Sequence, residues 1–315
     1  MGLKRKINFN LDKVRLCYYQ PTELFGELAQ LDNGEYIDFG YFRLYILDNG
    51  RKEGSDKPAT KAKADIVVNV EQSWEAVGTL TAHNSAKYDG LCFLEFTNKT
   101  LYSRLGEDKT EKVNGLNCLP YIVTPMGLSL HNITELEIAA DCNVNPIPQI
   151  RKMIGDYKSF EMIVNGKRVV DEKRNIAGYC EIHGRSRARV DRIPTLSFRQ
   201  CKDEGLKMKI YNKSKEIEQA SDKKYIEDWN GYGSHPTYRV EVTVKNADYR
   251  QWLDYNIAQG KPEWGDLDAS VGLLTDEAYR LNLWHYCAHR QLYFKPKGQR
   301  DKTIDLIDII SGEAC

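Results

Sequence analysis

The sequence predicts an α+β fold built on a largely antiparallel sheet, with helices covering one face of the sheet and a polar opposite face. Short runs in which polar and apolar residues alternate recur between about residues 64 and 244, and this period of two is typical of half-buried strands. Helical spacing of apolar residues appears once among these runs and again after them. Half-buried strands with few helices favour an antiparallel sheet that helices cover on one side.

The predicted elements follow one another with turn residues between them. Strands are predicted over residues 64–70, 91–97, 133–141, 161–170, 195–199, 207–211 and 237–244. A helix is predicted over 146–155, because isoleucines recur at helical spacing and Gly155 follows them. A second helix is expected over 246–260 with Asn246 as its N-cap, and a third begins near Asp276.

The composition is that of a folded chain. Of its 315 residues, 41% are hydrophobic, 29% are charged and 10% are aromatic, so the chain can bury a sizeable core. Residues 50–65 are rich in Gly, Lys and Asp and predict an exposed loop. We expect a main domain over 1–265 and a C-terminal extension of helix and strand over 266–315.

Charge is distributed unevenly along the chain. The formal net charge is zero, but residues 151–215 hold 17 Lys and Arg against 8 Asp and Glu. This local excess fits a surface for nucleic acid or another polyanion, and it fits a solvated loop equally well. The run Arg185, Arg187 and Arg189 is the densest part of it.

Cysteine spacing and the N-terminus predict the compartment. The eight cysteines show no CxxC pair or other short metal-type spacing. No apolar region of a signal peptide follows the basic N-terminus, and no stretch approaches the length of a membrane span. We therefore expect a cytoplasmic protein with no membrane partner.

Tyr211 ends the clearest alternating run. The run places Leu206, Met208 and Ile210 on one side and Lys207, Lys209 and Tyr211 on the other. Successive side chains of a strand point to opposite faces, so the second set is expected to face solvent. The same alternation predicts four more outward side chains on two other strands: Glu137, Asp141, Arg239 and Glu241. If these strands are neighbours, the acids, the cations and Tyr211 meet on one surface.

Such a surface has a chemical use and also an ordinary explanation. Carboxylate oxygens are the ligands that Mg²⁺ and Mn²⁺ prefer, and a divalent cation stabilises the charge that develops during displacement at phosphate. A tyrosine hydroxyl has an ordinary pKa of about 10, so lysines or a metal beside it would favour the nucleophilic phenolate. Outward acids and lysines are also common on a solvated sheet with cross-strand ion pairs.

Several short motifs resemble the replication initiation factor family, the Rep_trans-type rolling-circle initiators of plasmids and phages with related conjugative relaxases. The residues that carry the resemblance are Thr195-Leu196-Ser197-Phe198, Tyr211-Asn212-Lys213-Ser214-Lys215-Glu216, the acidic strand over 134–141, and Arg239-Val240-Glu241-Val242. The likeness covers roughly residues 85–260. The sequence departs from the family pattern in Glu135, where Arg is frequent, and in Ser197 and Arg199, which replace Tyr and Gly.

The resemblance implies a metal-dependent DNA nicking-joining endonuclease in the 1–265 domain, with the polar sheet face turned to DNA. Tyr211 would become joined to a 5′ phosphate and leave a 3′ hydroxyl. The implied ligands of Mg or Mn are Glu137, Asp141 and Glu241. The implied phosphate contacts are Lys213 and Lys215. The other predicted DNA-binding residues follow from their charge and position in the sequence: Lys207, Lys209, Arg185, Arg187, Arg189 and Arg239. The expected partner is origin DNA, single-stranded or extruded at the nick, and a host helicase and a second copy of the chain are candidate partners.

Alternatives of other classes stay open at this point. A non-cleaving origin-binding replication or regulatory protein would need the basic face and not the carboxylates. A conjugative relaxase would share the chemistry, and a globular protein could imitate the motif by chance. His285 and His289 have the spacing of a zinc pair, but Tyr286 stands where a zinc protease needs Glu, which favours packed or capping histidines.

Overall fold

A computed structural model describes residues 5–51, 58–70, 73–102, 115–169, 180–183, 195–199, 205–299 and 301–313. The chain forms two compact units. The first unit comprises Met1–Leu11, Glu137–Gly265 and Asp276–Cys315. The second unit comprises Asp12–Leu136 and Asp266–Thr275.

Strands form the larger part of both units. The described strands are β1 (Ile7–Tyr19), β2 (Tyr36–Asp38), β3 (Phe42–Asp48), β4 (Lys61–Val70), β5 (Ser73–His83), β6 (Leu91–Phe96), β7 (Ser129–Cys142), β8 (Phe160–Val164), β9 (Lys167–Arg168), β10 (Cys180–His183), β11 (Thr195–Arg199), β12 (Lys207–Asn212), β13 (Tyr238–Lys245) and β14 (Leu292–Pro296). Antiparallel pairing joins consecutive strands from β2 to β6 and from β10 to β13, and it also joins β1 to β6, β8 to β9 and β14 to β8.

Helices of four to fifteen residues lie between the strands. They are α1 (Thr22–Gln30), α2 (Asn98–Leu101), α3 (Leu119–Val123), α4 (Ile147–Gly155), α5 (Lys213–Ala220), α6 (Tyr225–Asn230), α7 (Asn246–Ala258), α8 (Pro262–Gly265), α9 (Leu267–Leu273), α10 (Glu277–Gln291) and α11 (Leu306–Ser311). A short 3-10 helix, Gly115–Cys118, precedes α3. In the described part of the chain, no helix is both long enough and apolar enough to cross a membrane.

The second unit is built on strands in the order β1-β6-β5-β4-β3-β2. Alternation explains its layers, because β4 buries Ala62, Ala64 and Ile66 while Lys61 and Lys63 stay exposed between them. The β6 strand follows the same rule and buries Cys92, Leu94 and Phe96, as the sequence predicts. One face of this sheet is therefore apolar and the other carries charge.

The first unit contains the strand order β10-β11-β12-β13, with β7 and β1 following β13. A small separate sheet has the order β14-β8-β9. Helix α10 lies against β13, where the buried Trp284 donates its indole N–H to the Val240 carbonyl at 3.0 Å. Met208 and Ile210 of β12 are buried on the same apolar layer. This packing fixes which face of β12 and β13 remains available for polar side chains.

The structure confirms the predicted α+β class with a large antiparallel sheet. The predicted strand Thr195–Arg199 has the predicted bounds, and β4 already begins at Lys61, inside the predicted loop 50–65. Helix α5, which starts directly after β12, was not predicted. The division at residue 265 stays a prediction, and residues 276–315 share the first unit with residues 137–265.

One predicted surface is wrong in part. Asp141 and Arg239 were expected to face solvent, but both are fully buried. The ends of β7 and β13 are buried on both faces, because α6 lies against their polar side, where Asn230 donates to Asp141 and Trp229 donates to Asn10 of the neighbouring strand β1. Simple alternation cannot anticipate a second covering layer.

A histidine pair joins α10 to the start of α11. His285 Nε2 lies 3.2 Å from Oδ2 of Asp305, and His289 Nδ1 lies 2.6 Å from Oδ1 of the same carboxylate. The hydrogen bond with Asp305 raises the pKa of His285. Burial alone would raise the pKa of Asp305, but its hydrogen bonds with the two histidines lower it on balance. This geometry fits histidines that anchor a helix end.

The Asp305→Asn variant tests this anchor, because Asn still serves as an N-cap but carries no charge. Stabilisation by a histidine with a raised pKa is complete below the ordinary pKa and is lost as pH rises through the raised one. We expect a loss below about 1 kcal/mol, since both histidines are partly exposed. Thermal melts should show a larger loss at about pH 5.5 than at about pH 8.5. An equal loss at both values would contradict the anchor.

Candidate active site

The site begins with the register of two neighbouring strands. In the β12–β13 pair, Tyr211 lies opposite Arg239 and Lys209 lies opposite Glu241. Side chains at these positions share one face of the sheet. The Tyr211 hydroxyl donates a hydrogen bond to Glu241 Oε2 at 2.9 Å. Tyr211 and Glu241 are therefore diagonal neighbours on the two strands, and a hydrogen bond joins the phenol of one to the carboxylate of the other.

Glu241 is held in a nearly closed environment. The residue is only 5% exposed, whereas Tyr211 is half-buried and reaches solvent. Lys209 Nζ approaches Glu241 Oε1 at 3.5 Å, with half of the lysine side chain in solvent. One oxygen of the carboxylate therefore accepts the phenol and the other faces an ammonium group.

A second carboxylate lies close to the first. Glu137 on β7 accepts a long hydrogen bond from Thr243 Oγ1 at 3.5 Å, and it presents an oxygen within 4.8 Å of one on Glu241. Two neighbouring carboxylates with only oxygen donors suit a hard divalent cation rather than a thiolate- or imidazole-binding metal.

Asp141, the third predicted metal ligand, lies in a different setting. Arg239 donates to it twice, from Nε to Oδ1 at 2.7 Å and from Nη2 to Oδ2 at 2.8 Å. Asn10 and Asn230 each donate a further hydrogen bond to Oδ2 at 3.0 Å. Both carboxylate oxygens are therefore engaged. A role of Asp141 in metal binding stays a prediction.

The neighbours of Asp141 form a connected polar cluster. Trp229 donates its indole N–H to Asn10 Oδ1 at 2.8 Å, and Asn8 donates to Asn230 Oδ1 at 3.1 Å. Tyr232 donates its hydroxyl to the Asp141 carbonyl. Arg239 is buried beneath this cluster, so its predicted role in contacting DNA is not supported by an exposed guanidinium group.

The residues after Tyr211 form a helix start. The Asn212 side chain accepts a hydrogen bond from the Lys215 backbone N–H at 3.0 Å and caps α5. Lys213 is 3% exposed and pairs with Glu216 at 2.6 Å, while its Nζ lies 5.9 Å from the Tyr211 ring centre. Lys215 is exposed. The Tyr-to-Glu motif is thus partly a capping pattern.

The other predicted residues divide between accessible and undescribed ones. Lys207 is half-buried at the start of β12 and Lys209 is exposed further along it. The predicted DNA contacts Arg185, Arg187 and Arg189 lie outside the described residues. The structure therefore brings together Tyr211, Lys209, Glu137 and Glu241 from the predicted set.

Tyr18 and Tyr102 are poorer nucleophile candidates than Tyr211. Tyr18 is 3% exposed and Tyr102 is 5% exposed. Burial, followed by the nearby Cys92 and Asp268, raises the pKa of Tyr18. A hydroxyl that cannot meet substrate and resists ionisation is not suited to attack phosphate.

The chain has a distant structural likeness to a known protein. The chain is similar to the solved structure of a rolling circle replication initiator protein from Geobacillus stearothermophilus, with 14% identity and a TM-score of 0.36. The match covers 82% of this chain and 80% of that chain. No family model matches the sequence, and no curated protein matches it. A likeness at this level carries no argument about chemistry.

The Asp141→Asn variant tests whether the buried pair is structural. It keeps the shape of the side chain but leaves Arg239 without a counter-charge, and breaking a buried ion pair costs about 3–5 kcal/mol. Urea unfolding measures the loss.

The control is Glu161→Gln, which breaks the exposed pair of Glu161 with Arg168 at 2.6 Å and should cost less than about 1 kcal/mol. If the two variants lost equal free energy of unfolding, the ion pair of Asp141 with Arg239 would contribute no more to stability than a surface pair.

Proposed function

We propose that the chain is a metal-dependent DNA nicking-joining endonuclease that initiates rolling-circle replication, with Tyr211 as its nucleophile. The hydrogen bond from the Tyr211 hydroxyl to Glu241 at 2.9 Å carries the proposal. A nucleophile within hydrogen-bond reach of a base is the geometry that covalent catalysis needs. Tyr211 also reaches solvent, where a phosphodiester can approach.

The chemical step uses groups that the site holds. The Tyr211 oxygen forms a bond to phosphorus while its proton passes to Glu241. The bond from phosphorus to the 3′ oxygen breaks, its electron pair stays on that oxygen, and a proton from water completes the 3′ hydroxyl. Attack by a 3′ hydroxyl on the tyrosine ester reverses the step and rejoins the strand.

Glu137 and Glu241 would hold Mg or Mn. Their carboxylate oxygens lie within 4.8 Å of one another, and oxygen donors fit both ions. When bound, the cation would offset the charge that develops on the phosphoryl oxygens. One carboxylate has two oxygens and several acceptor sites, so Glu241 can accept the Tyr211 proton while it contributes to cation binding.

Accessible lysines around Tyr211 would position the DNA. Lys209 and Lys215 are exposed, and Lys207 is half-buried, so phosphates can reach all three. Such contacts fix register without reading sequence. Arg185, Arg187 and Arg189 remain candidates for the same role. A host helicase and a second copy of the chain remain proposed partners, and a cytoplasmic location remains an expectation.

Single-stranded or extruded DNA is the substrate that the site favours. Glu241 is almost fully enclosed and Tyr211 is half-buried, so the scissile phosphate has to approach the sheet surface closely. A paired strand cannot do so without distortion, whereas an unpaired strand bends at low cost. An origin that extrudes a hairpin would present the phosphate in this form.

The Tyr211→Phe variant removes only the attacking hydroxyl. We expect no covalent protein–DNA adduct with labelled single-stranded origin DNA and Mn²⁺, while DNA binding is kept. Gel separation under denaturing conditions measures the adduct. Tyr238→Phe is the matched control, because Tyr238 is a half-buried tyrosine of the adjacent strand, and it should form the adduct normally. An undiminished adduct in Tyr211→Phe would place the nucleophile elsewhere.

The Glu241→Gln variant removes the acceptor of the phenolic proton and one cation ligand. We expect adduct formation to fall by about 10²–10⁴-fold, the usual contribution of a general base. Mn²⁺ should also raise the melting temperature of the wild type by binding the folded state, and this shift should disappear in the variant. A full shift in Glu241→Gln would exclude the carboxylate from cation binding.

A further inference from the structure

The polar face of the second unit carries a group of cations and rings that the proposed chemistry does not use. Register places its members on one face, because Phe93 lies opposite Thr81 and Thr81 lies opposite Lys63. In the neighbouring row, Lys61 lies opposite His83. The side chains at these positions all point to one face of the sheet, whereas Ala62 and Ala64 point to the opposite face and are buried there.

A polar cavity of 420 Å³ opens on this face. Its lining includes Arg15, Lys61, Lys63, Thr81 and Phe93. Lys61 and Lys63 are exposed and two residues apart on β4, which puts their backbone positions about 6.5 Å apart along the strand. The cavity therefore combines a row of cations with hydroxyl groups and an aromatic ring.

The rings form a cluster rather than scattered aromatics. Phe93 meets His83 at 5.5 Å and Tyr88 at 5.7 Å between ring centres, both edge to face. The Arg15 guanidinium lies 5.0 Å from the centre of the Phe93 ring, and Lys87 Nζ lies 4.9 Å from that of Tyr88. Phe93, His83 and Tyr88 are each half-buried, so each keeps part of its ring in solvent.

The positive charge of this face is only partly neutralised. Glu95 pairs with Lys13 at 3.6 Å and with Arg15 at 3.8 Å. For Lys61 and Lys63, no carboxylate oxygen of the described residues lies within ion-pair distance. Burial and then the charges of Lys61 and Arg15 lower the pKa of His83, as a locally positive field requires.

We propose that this face, formed by Arg15, Lys61, Lys63, His83, Tyr88 and Phe93, binds single-stranded DNA independently of the nicking site. Lys61 and Lys63 hold phosphates, and the ring cluster stacks an unpaired base. Cations that follow a backbone beside aromatic rings are the usual construction of sequence-tolerant single-strand binding. That the ligand is DNA rather than another polyanion rests on the proposed function. That the surface binds a polyanion rests only on its own cations and rings.

Single strands fit this face better than duplexes. Bases of a duplex are stacked on each other, so their faces cannot reach Phe93 or Tyr88. An acidic peptide would satisfy the lysines but would gain nothing from the rings. The lysines together with the aromatic rings therefore indicate a ligand that carries both phosphates and unstacked bases.

The test measures binding of a fluorescein-labelled oligo-dT of about 15 nucleotides by anisotropy, in EDTA and in the Tyr211→Phe background, so that no cleavage occurs. Lys61→Ala/Lys63→Ala should reduce the slope of log affinity against log salt by about 1.4, since each phosphate contact on a single strand contributes about 0.7. Phe93→Leu keeps apolar bulk, and it should weaken binding about fivefold or more through lost stacking.

Lys158→Ala/Lys297→Ala is the matched control, because both lysines are exposed in the first unit, and its salt slope should stay unchanged. An unchanged slope in the Lys61/Lys63 variant would overturn the proposal. The proposal would also be overturned if the Lys61/Lys63 variant lost affinity for duplex DNA only, or if it lost only the competition by polyglutamate. A different result would contradict only the nicking function: the variants of this face weaken binding as expected, but the wild-type protein forms no covalent adduct with DNA.

Discussion

The buried ion pair between Arg239 and Asp141 is the constraint on which the candidate site depends. Two charges at 0% exposure are tolerable only when their hydrogen bonds are complete, and here Arg239 donates twice while Asn10 and Asn230 complete the carboxylate. Arg239 lies opposite Tyr211 in the strand register. The pair that fixes β13 therefore also fixes where Glu241, two residues along, meets the tyrosine.

The two partners of the hydrogen bond, Tyr211 and Glu241, differ in their exposure to solvent. Glu241 is almost fully buried, so its carboxylate stays in one orientation, while Tyr211 keeps a route to solvent. Lys209 balances part of the negative charge at 3.5 Å. In the proposed function, a base held beside a half-buried tyrosine would need little rearrangement when substrate arrives, which is the preorganisation that catalytic sites use.

Alternation along single strands was enough to predict the class of fold and the shared face of Tyr211, Lys209, Glu137 and Glu241. It failed at Asp141 and Arg239, because helix α6 covers that end of the face. Local periodicity gives the direction of a side chain, and only tertiary packing decides whether that direction leads to water.

The most direct measurement of the central claim is to locate the covalent bond to DNA. The protein is incubated with single-stranded origin DNA and Mn²⁺, digested with nuclease and trypsin, and its peptides are analysed by mass spectrometry. We expect the nucleotide mass on the peptide Ile210-Tyr211-Asn212-Lys213, which cleavage after Lys209 and Lys213 releases. A nucleotide on a peptide that contains any other tyrosine would contradict the assignment of Tyr211.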